Sequence, residues 1–94
     1  MDQIQEFELF KDTMNEQSFT IPKNSHALSA RMSPNGDMII VDVLVDLDNT
    51  EMTTKTFRLF NKYSSIDDNM KADFIGTIVD NEGDEVFYVF EKIR

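Results

Sequence analysis

The segment SPNGDMIIVDVLVDLD, residues 33–48, decides the fold. It begins with the turn Pro34-Asn35-Gly36 and continues into the most β-prone run of the chain. Asn-Gly between two alternating segments is the strongest short-range signal for a β-hairpin. We therefore expect residues 28–33 to pair antiparallel with residues 38–43.

The same segment predicts which side of its strand is buried. Residues two apart on a strand share a face. The odd-numbered positions are all apolar and are expected to face the core: Ile39, Val41, Val43, Val45 and Leu47. Asp42 and Asp46 fall on the opposite side, which we expect to face water. A slip of one residue would bury both carboxylates, so they also fix the register.

The remaining sequence predicts further short strands separated by polar turns. They are residues 3–10, 18–22, 26–33, 53–63, 74–79 and 85–93. Within 26–33, the side chains of one face should be His26, Leu28, Ala30 and Met32, with Ala27, Ser29 and Arg31 on the other. Residues 48–52, DNTEM, should turn the next strand back onto the preceding one. One short helix is expected near 65–72, with Ser65 as its cap.

These elements predict an all-β fold, or a β-rich α+β fold. We expect a small antiparallel meander of about seven strands that forms a sandwich or a partly open barrel. With 94 residues, the chain should be one domain, 1–94. The alternative is an antiparallel sheet with one helix packed on a face.

Composition excludes several classes of function. The chain has no cysteine, which removes disulfides, thiolate zinc sites and cysteine nucleophiles. Eighteen acids against nine bases give a net charge of −9, which repels phosphate backbones, so direct nucleic-acid binding is not expected. No apolar run is long enough for a membrane span, and the N-terminal segment does not resemble a signal peptide. We therefore expect a cytoplasmic protein.

Two acidic clusters are candidate partner-binding sites, although solvation alone would also explain them. The first comprises Asp42, Asp46, Asp48 and Glu51, and the second comprises Asp80, Glu82, Asp84 and Glu85. Either cluster would attract a partner protein with a basic surface.

The last strand is apolar on both sides. Val86, Tyr88 and Phe90 share one face, and Phe87, Val89 and Ile93 share the other. Either both faces are covered within the fold, or this strand supplies a homodimer or partner interface that includes Tyr88, Phe90 and Phe87.

No motif for catalysis, metal binding or cofactor binding is complete. Residues 46–51, DLDNTE, begin like a calcium loop, but Glu51 stands where glycine is needed. His26 has no nucleophile-elbow serine near it, and no phosphate-binding loop is present. Lys55, Arg58 and Lys62 flank aromatic residues, as in an ordinary strand. We expect no catalytic, metal or cofactor residues, and no enzyme.

Three stretches together resemble a known family. They are IPKNSHALSARM at 21–32, VDVLVD at 41–46 and FIGTIVDNEGDEVFYVFE at 74–91. Their order and spacing resemble an uncharacterised family of small tailed-bacteriophage accessory proteins. That family usually has tryptophan where this chain has Asp42 and histidine where it has Tyr88. The resemblance implies a viral accessory protein in the bacterial host cytoplasm, without a known activity.

The sequence thus favours a non-enzymatic interaction protein that engages a host protein through an acidic surface. One alternative is a DNA mimic that inhibits a host nucleic-acid enzyme. Another is a protein that sequesters a small nucleotide signal, with Arg31, Arg58 and aromatic side chains at an oligomer interface.

Overall fold

The described part of the chain forms seven antiparallel strands. The computed structural model describes residues 1–13, 15–66, 72–80 and 85–93. The strands are β1 (Asp2–Phe10), β2 (Gln17–Pro22), β3 (His26–Met32), β4 (Met38–Asp46), β5 (Met52–Phe60), β6 (Ala72–Asp80) and β7 (Glu85–Lys92). The predicted all-β class and strand number are confirmed. No helix long and apolar enough to span a membrane is present in these residues.

The strands form two sheets that pack as a sandwich. Sheet A has the order β1-β4-β3, and sheet B has the order β2-β5-β7-β6. The chain passes between the sheets three times, from β1 to β2, from β2 to β3 and from β4 to β5. The core between them contains Leu9, Ile21, Ile39, Val41, Val43, Val45, Phe57, Leu59, Ile78, Phe87 and Val89.

The predicted hairpin at residues 33–37 is confirmed. β3 pairs antiparallel with β4, and Met32 lies opposite Ile39. Gly36 has a φ of 78°, a conformation that glycine adopts without steric cost. The Ser33 hydroxyl accepts a 3.0 Å bond from the Met38 amide, and the Gly36 amide donates to the Ser33 carbonyl at 2.9 Å. The turn therefore satisfies its own polar groups.

The predicted parity of β4 is confirmed at four of five positions. Ile39, Val41, Val43 and Val45 are fully buried in the core. Leu47 is 43% exposed, so its assignment to the core was wrong. The reason is that β4 ends at Asp46, whose carboxylate accepts a bond from the Asp48 amide and begins a turn.

Two other expectations on strand pairing were wrong. DNTEM does not turn β5 back onto β4, because β5 joins sheet B and pairs with β2 and β7. His26 does not share a face with Ala30 and Met32. A β-bulge between Ala27 and Ser29 inserts one residue, and His26 therefore lies opposite Leu44 on the outer side of sheet A.

The predicted short helix near 65–72 lies mostly outside the described residues. Ser65 and Ile66 are described and are not helical. Residues 67–71 lie outside the described ranges, and Ala72 begins β6.

The two sides of the sandwich differ. On one side β3 and β6 approach closely, and a Cβ added to Gly76 would lie 3.6 Å from the Ala30 amide nitrogen. On the other side lie the edge strands β1 and β2, where the Phe7 and Phe19 ring centroids are 5.1 Å apart. Both of these rings are only half-buried.

Candidate binding surfaces

The outer face of sheet A concentrates negative charge. Strand parity places five carboxylates there, namely Asp2, Glu6, Glu8, Asp42 and Asp46. Among the described strand residues of this face, Arg31 is the one arginine or lysine. We call this surface the acidic face. It includes Asp42 and Asp46 from the predicted first cluster and adds three acids from β1.

Carboxylates lie directly opposite one another across the β1–β4 ladder. Asp2 pairs with Asp46, and Glu6 pairs with Asp42. The Met1 carbonyl accepts a 2.9 Å hydrogen bond from the Leu47 amide. Because hydrogen-bonded pairs recur at every second residue of an antiparallel ladder, the odd-numbered residues of β1 are the ones that exchange hydrogen bonds with β4. The two acid pairs therefore occupy the closer, non-hydrogen-bonded positions. Like charges at such positions destabilise a sheet.

Arg31 partly offsets this repulsion at the centre of the face. Its Nε donates to Asp42 Oδ2 at 3.1 Å, and its Nη2 donates to Glu6 Oε1 at 2.8 Å. The hydrogen bond to Asp42 is the main cause that raises the pKa of Arg31. Arg31 therefore stays charged at every physiological pH, and Asp42 is tied to it rather than open to a partner.

The other acids of the first predicted cluster also have internal partners. The Met1 ammonium contacts Asp48 and lies 3.8 Å from Asp46. The hydrogen bond to Asp48 is the main cause that raises the pKa of this ammonium. Glu51 forms a 3.3 Å ion pair with Lys23. Asp48 and Glu51 follow the end of β4, so they flank the acidic face rather than belong to it.

The two described members of the second predicted cluster, Asp80 and Glu85, lie at the other end of the sandwich. Asp80 and Glu85 are opposite one another in the β6–β7 ladder. The Asp80 side chain is 11% exposed and forms a 3.0 Å ion pair with Lys11, so it acts within the fold. Glu82 and Asp84 lie outside the described residues.

The outer face of sheet B is aromatic. Phe90 packs against Phe60 and Phe74, with centroids 5.4 and 5.5 Å apart, and Tyr88 lies beside Phe60 in the register. Phe74 is 55% exposed. None of the described strand residues on this face is acidic. We call it the aromatic face.

The aromatic face contains two of the three residues predicted for an oligomer interface. Tyr88 and Phe90 are there, but Phe87 is 2% exposed and points into the core. Phe87 therefore belongs to no surface. Arg58 also lies on this face, with its Cζ 4.8 Å from the Phe60 ring centroid.

Two side chains considered as candidate functional residues, Asp46 and Lys55, make contacts within the fold. No group of three or more histidine or acidic side chains in the described ranges is arranged to hold a metal. In DLDNTE, the Asp46 and Asn49 side chains cap the amides two residues ahead and so form turns. His26 is exposed at the start of β3. Lys55 points inward and pairs with Glu91 at 2.8 Å.

Sequence reasoning missed Asp2, Glu6 and Glu8 as parts of the candidate site. The signal was the alternation of Glu6 and Glu8 with Phe7 and Leu9 in β1. The missing fact was that β1 pairs with β4, which brings the acids of both strands onto one surface.

The fold and its surfaces define a small antiparallel β-sandwich with one acidic and one aromatic outer face. The chain belongs to the family described as Domain of unknown function (DUF7352), whose model matches residues 1–94. No curated protein and no solved structure matches the chain.

Proposed function

We propose that this protein is a non-enzymatic interaction protein whose acidic face binds a basic surface on another protein. The observation that supports it is that two pairs of acids lie opposite one another in the β1–β4 register, Asp2 with Asp46 and Glu6 with Asp42. Stability alone would favour opposite charges at these positions. Sequences usually break such a local rule where a surface serves function.

The distribution of charge supports the same conclusion. A surface chosen only for solubility would spread its acids over both outer faces. Here the acids that the described strands place on the outer sheet faces are on sheet A, while the outer face of sheet B has Arg58 and Lys92. A basic partner would therefore be steered to one side of the molecule.

Viral origin and action in a bacterial host cytoplasm stay predictions, as do the two alternative functions. For a DNA mimic, Arg31 lies between Glu6 and Asp42 and interrupts the row of negative charge. For a nucleotide-binding protein, Arg31 and Arg58 lie on opposite outer faces and do not converge within one molecule. The first observation favours a protein-binding role over a DNA mimic.

The test compares two triple variants with equal net charge. The first neutralises the acidic face: Asp2→Asn, Glu6→Gln and Glu8→Gln. The control neutralises three exposed acids elsewhere: Asp12→Asn, Glu16→Gln and Asp73→Asn. Proteins captured from a bacterial lysate are identified by mass spectrometry, purified and titrated against each variant.

We expect to capture a basic protein that binds the wild type and the control variant with equal affinity. Its affinity for the first variant should be lower, and added salt should weaken its binding to the wild type. Equal affinity for all three proteins at low salt would rule out the acidic face as the binding surface.

A further inference from the structure

The second edge of β1 is unpaired in the part of the chain that the structure describes. β1 is the outermost strand of sheet A and pairs only with β4. Odd-numbered residues of β1 direct their backbone groups toward β4, as the bond from Leu47 to Met1 indicates. The amides and carbonyls of Ile4, Glu6 and Glu8 must therefore point away from the sheet.

One position on this edge is already occupied by a peptide-like group. The Phe10 amide donates to Gln17 Oε1 at 2.8 Å, and Gln17 Nε2 donates to the Phe10 carbonyl at 3.2 Å. One primary amide thus accepts from and donates to the same residue, as a neighbouring strand does in an antiparallel ladder. The bonds confirm that the backbone of an even-numbered residue faces outward and is accessible to such a partner.

The side chains beside this edge define what an added strand would contain. On the outer side, Glu6 and Glu8 are exposed and about 6.8 Å apart along the strand. On the inner side, the half-buried rings of Phe7 and Phe19 lie between the edge strands β1 and β2. An added strand would place alternate side chains against the carboxylates and against the rings.

We propose that β1 receives an extended segment of a partner protein with alternating basic and apolar residues, as an additional strand of sheet A. This inference rests on the proposed function and names the way in which the basic partner binds. Main-chain hydrogen bonds would supply affinity, and alternate side chains would supply specificity.

Charge selects this occupant over a second copy of the chain. Two β1 strands paired antiparallel would bring Glu6 and Glu8 of each copy against the same acids of the other. Like charges at paired positions oppose that arrangement, and edge charges commonly prevent self-association. A basic segment would instead be attracted by them.

The test uses a nine-residue peptide of alternating lysine and valine, acetylated and amidated, with the intact protein. Two methylated versions are matched controls: one has N-methyl groups on three lysines, and the other has them on three valines. In an antiparallel ladder only the lysine amides face β1. We expect the lysine-methylated peptide to bind at least about tenfold more weakly, since it loses three hydrogen bonds.

Amide hydrogen exchange provides a second measurement within the same sample. At saturating peptide, exchange at Ile4, Glu6 and Glu8 should slow by about tenfold or more because these amides become bonded. The amides of Gln5 and Phe7, which already bond to β4, should change little. Loss of affinity with the valine-methylated peptide alone would still support strand addition, in the parallel orientation.

The outcomes separate this inference from the proposed function. Strand addition would be overturned if both methylated peptides bound as tightly as the unmethylated peptide. If the double variant Glu6→Gln and Glu8→Gln then failed to bind the unmethylated peptide, the acidic face would remain a binding surface. If that variant also bound the peptide like wild type, both proposals would fall. Protection of Glu6 and Glu8 without peptide, in a sample that sediments as a dimer, would identify a second copy as the occupant and overturn the inference.

Discussion

The ion pair between Lys55 and Glu91 gives the most direct test of how the sandwich interior is stabilised. The Lys55 ammonium lies 2.8 Å from Glu91 Oε2, and the two side chains are 14% and 17% exposed. Glu91 lies opposite Phe57 on one side and Asp73 on the other. We predict that Lys55→Met strongly destabilises the protein, because it leaves a shielded carboxylate without its cation.

The magnitude follows from the burial. Removing one partner of a fully buried pair costs about 3–5 kcal/mol. Both side chains keep some contact with water, so we expect about 2–3 kcal/mol here. For a domain of this size, each kcal/mol lowers Tm by about 4–8 °C, so Lys55→Met should lower Tm by roughly 10–20 °C.

The assay is urea unfolding followed by circular dichroism, on wild type, Lys55→Met, Glu91→Leu and the double variant. Because apolar residues can replace a buried pair at little or no cost, the double variant should recover most of the stability that the single change loses. A single variant within about 0.5 kcal/mol of wild type, the range of an ordinary surface substitution, would refute the reasoning. So would a double variant no more stable than Lys55→Met.

Three further predictions concern separate parts of the molecule. Gly76→Ala should change the unfolding midpoint little, since its Cβ has room beside Ala30, whereas Gly76→Val should lower it clearly by forcing β6 away from β3. Ser25→Ala should lower the free energy of unfolding by about 1–3 kcal/mol in the same urea assay, because the buried Ser25 hydroxyl donates a 2.5 Å hydrogen bond to the Pro22 carbonyl. Arg31→Gln should tighten binding of the lysine–valine peptide about threefold at low salt, measured by titration, since it removes the positive charge that lies 2.8 Å from the Glu6 carboxylate; weaker binding would contradict the assignment of the acidic face.

The sequence predicted local features of the fold well because they depend on neighbouring residues. The turn at Asn35-Gly36 and the alternation from Ile39 to Val45 needed only the chemistry of adjacent side chains. Leu47 was misplaced because the strand end depends on the turn that Asp46 caps. The bulge after Ala27 has no glycine or proline to mark it, so the shift in parity was invisible.

The acidic face could be predicted only in part, because it is assembled from distant segments. The alternation of polar and apolar residues predicted the water-facing side of β1 and of β4. The pairing of the two strands could not be predicted, since Asp2 and Asp46 are opposite one another in the sheet but far apart in the sequence. The position of Arg31 between Glu6 and Asp42 depends in addition on β3 pairing with the other edge of β4.

The alternation of the first strands between the two sheets has a consequence for synthesis in the cell. β1 cannot complete its ladder until Asp46 has left the ribosome, which takes a few seconds at about 5–20 residues per second. During that interval the nascent strand has neither of its edges covered. Because like charges at paired positions oppose strand pairing, we expect the three carboxylates of β1 to disfavour pairing between neighbouring nascent chains through this segment.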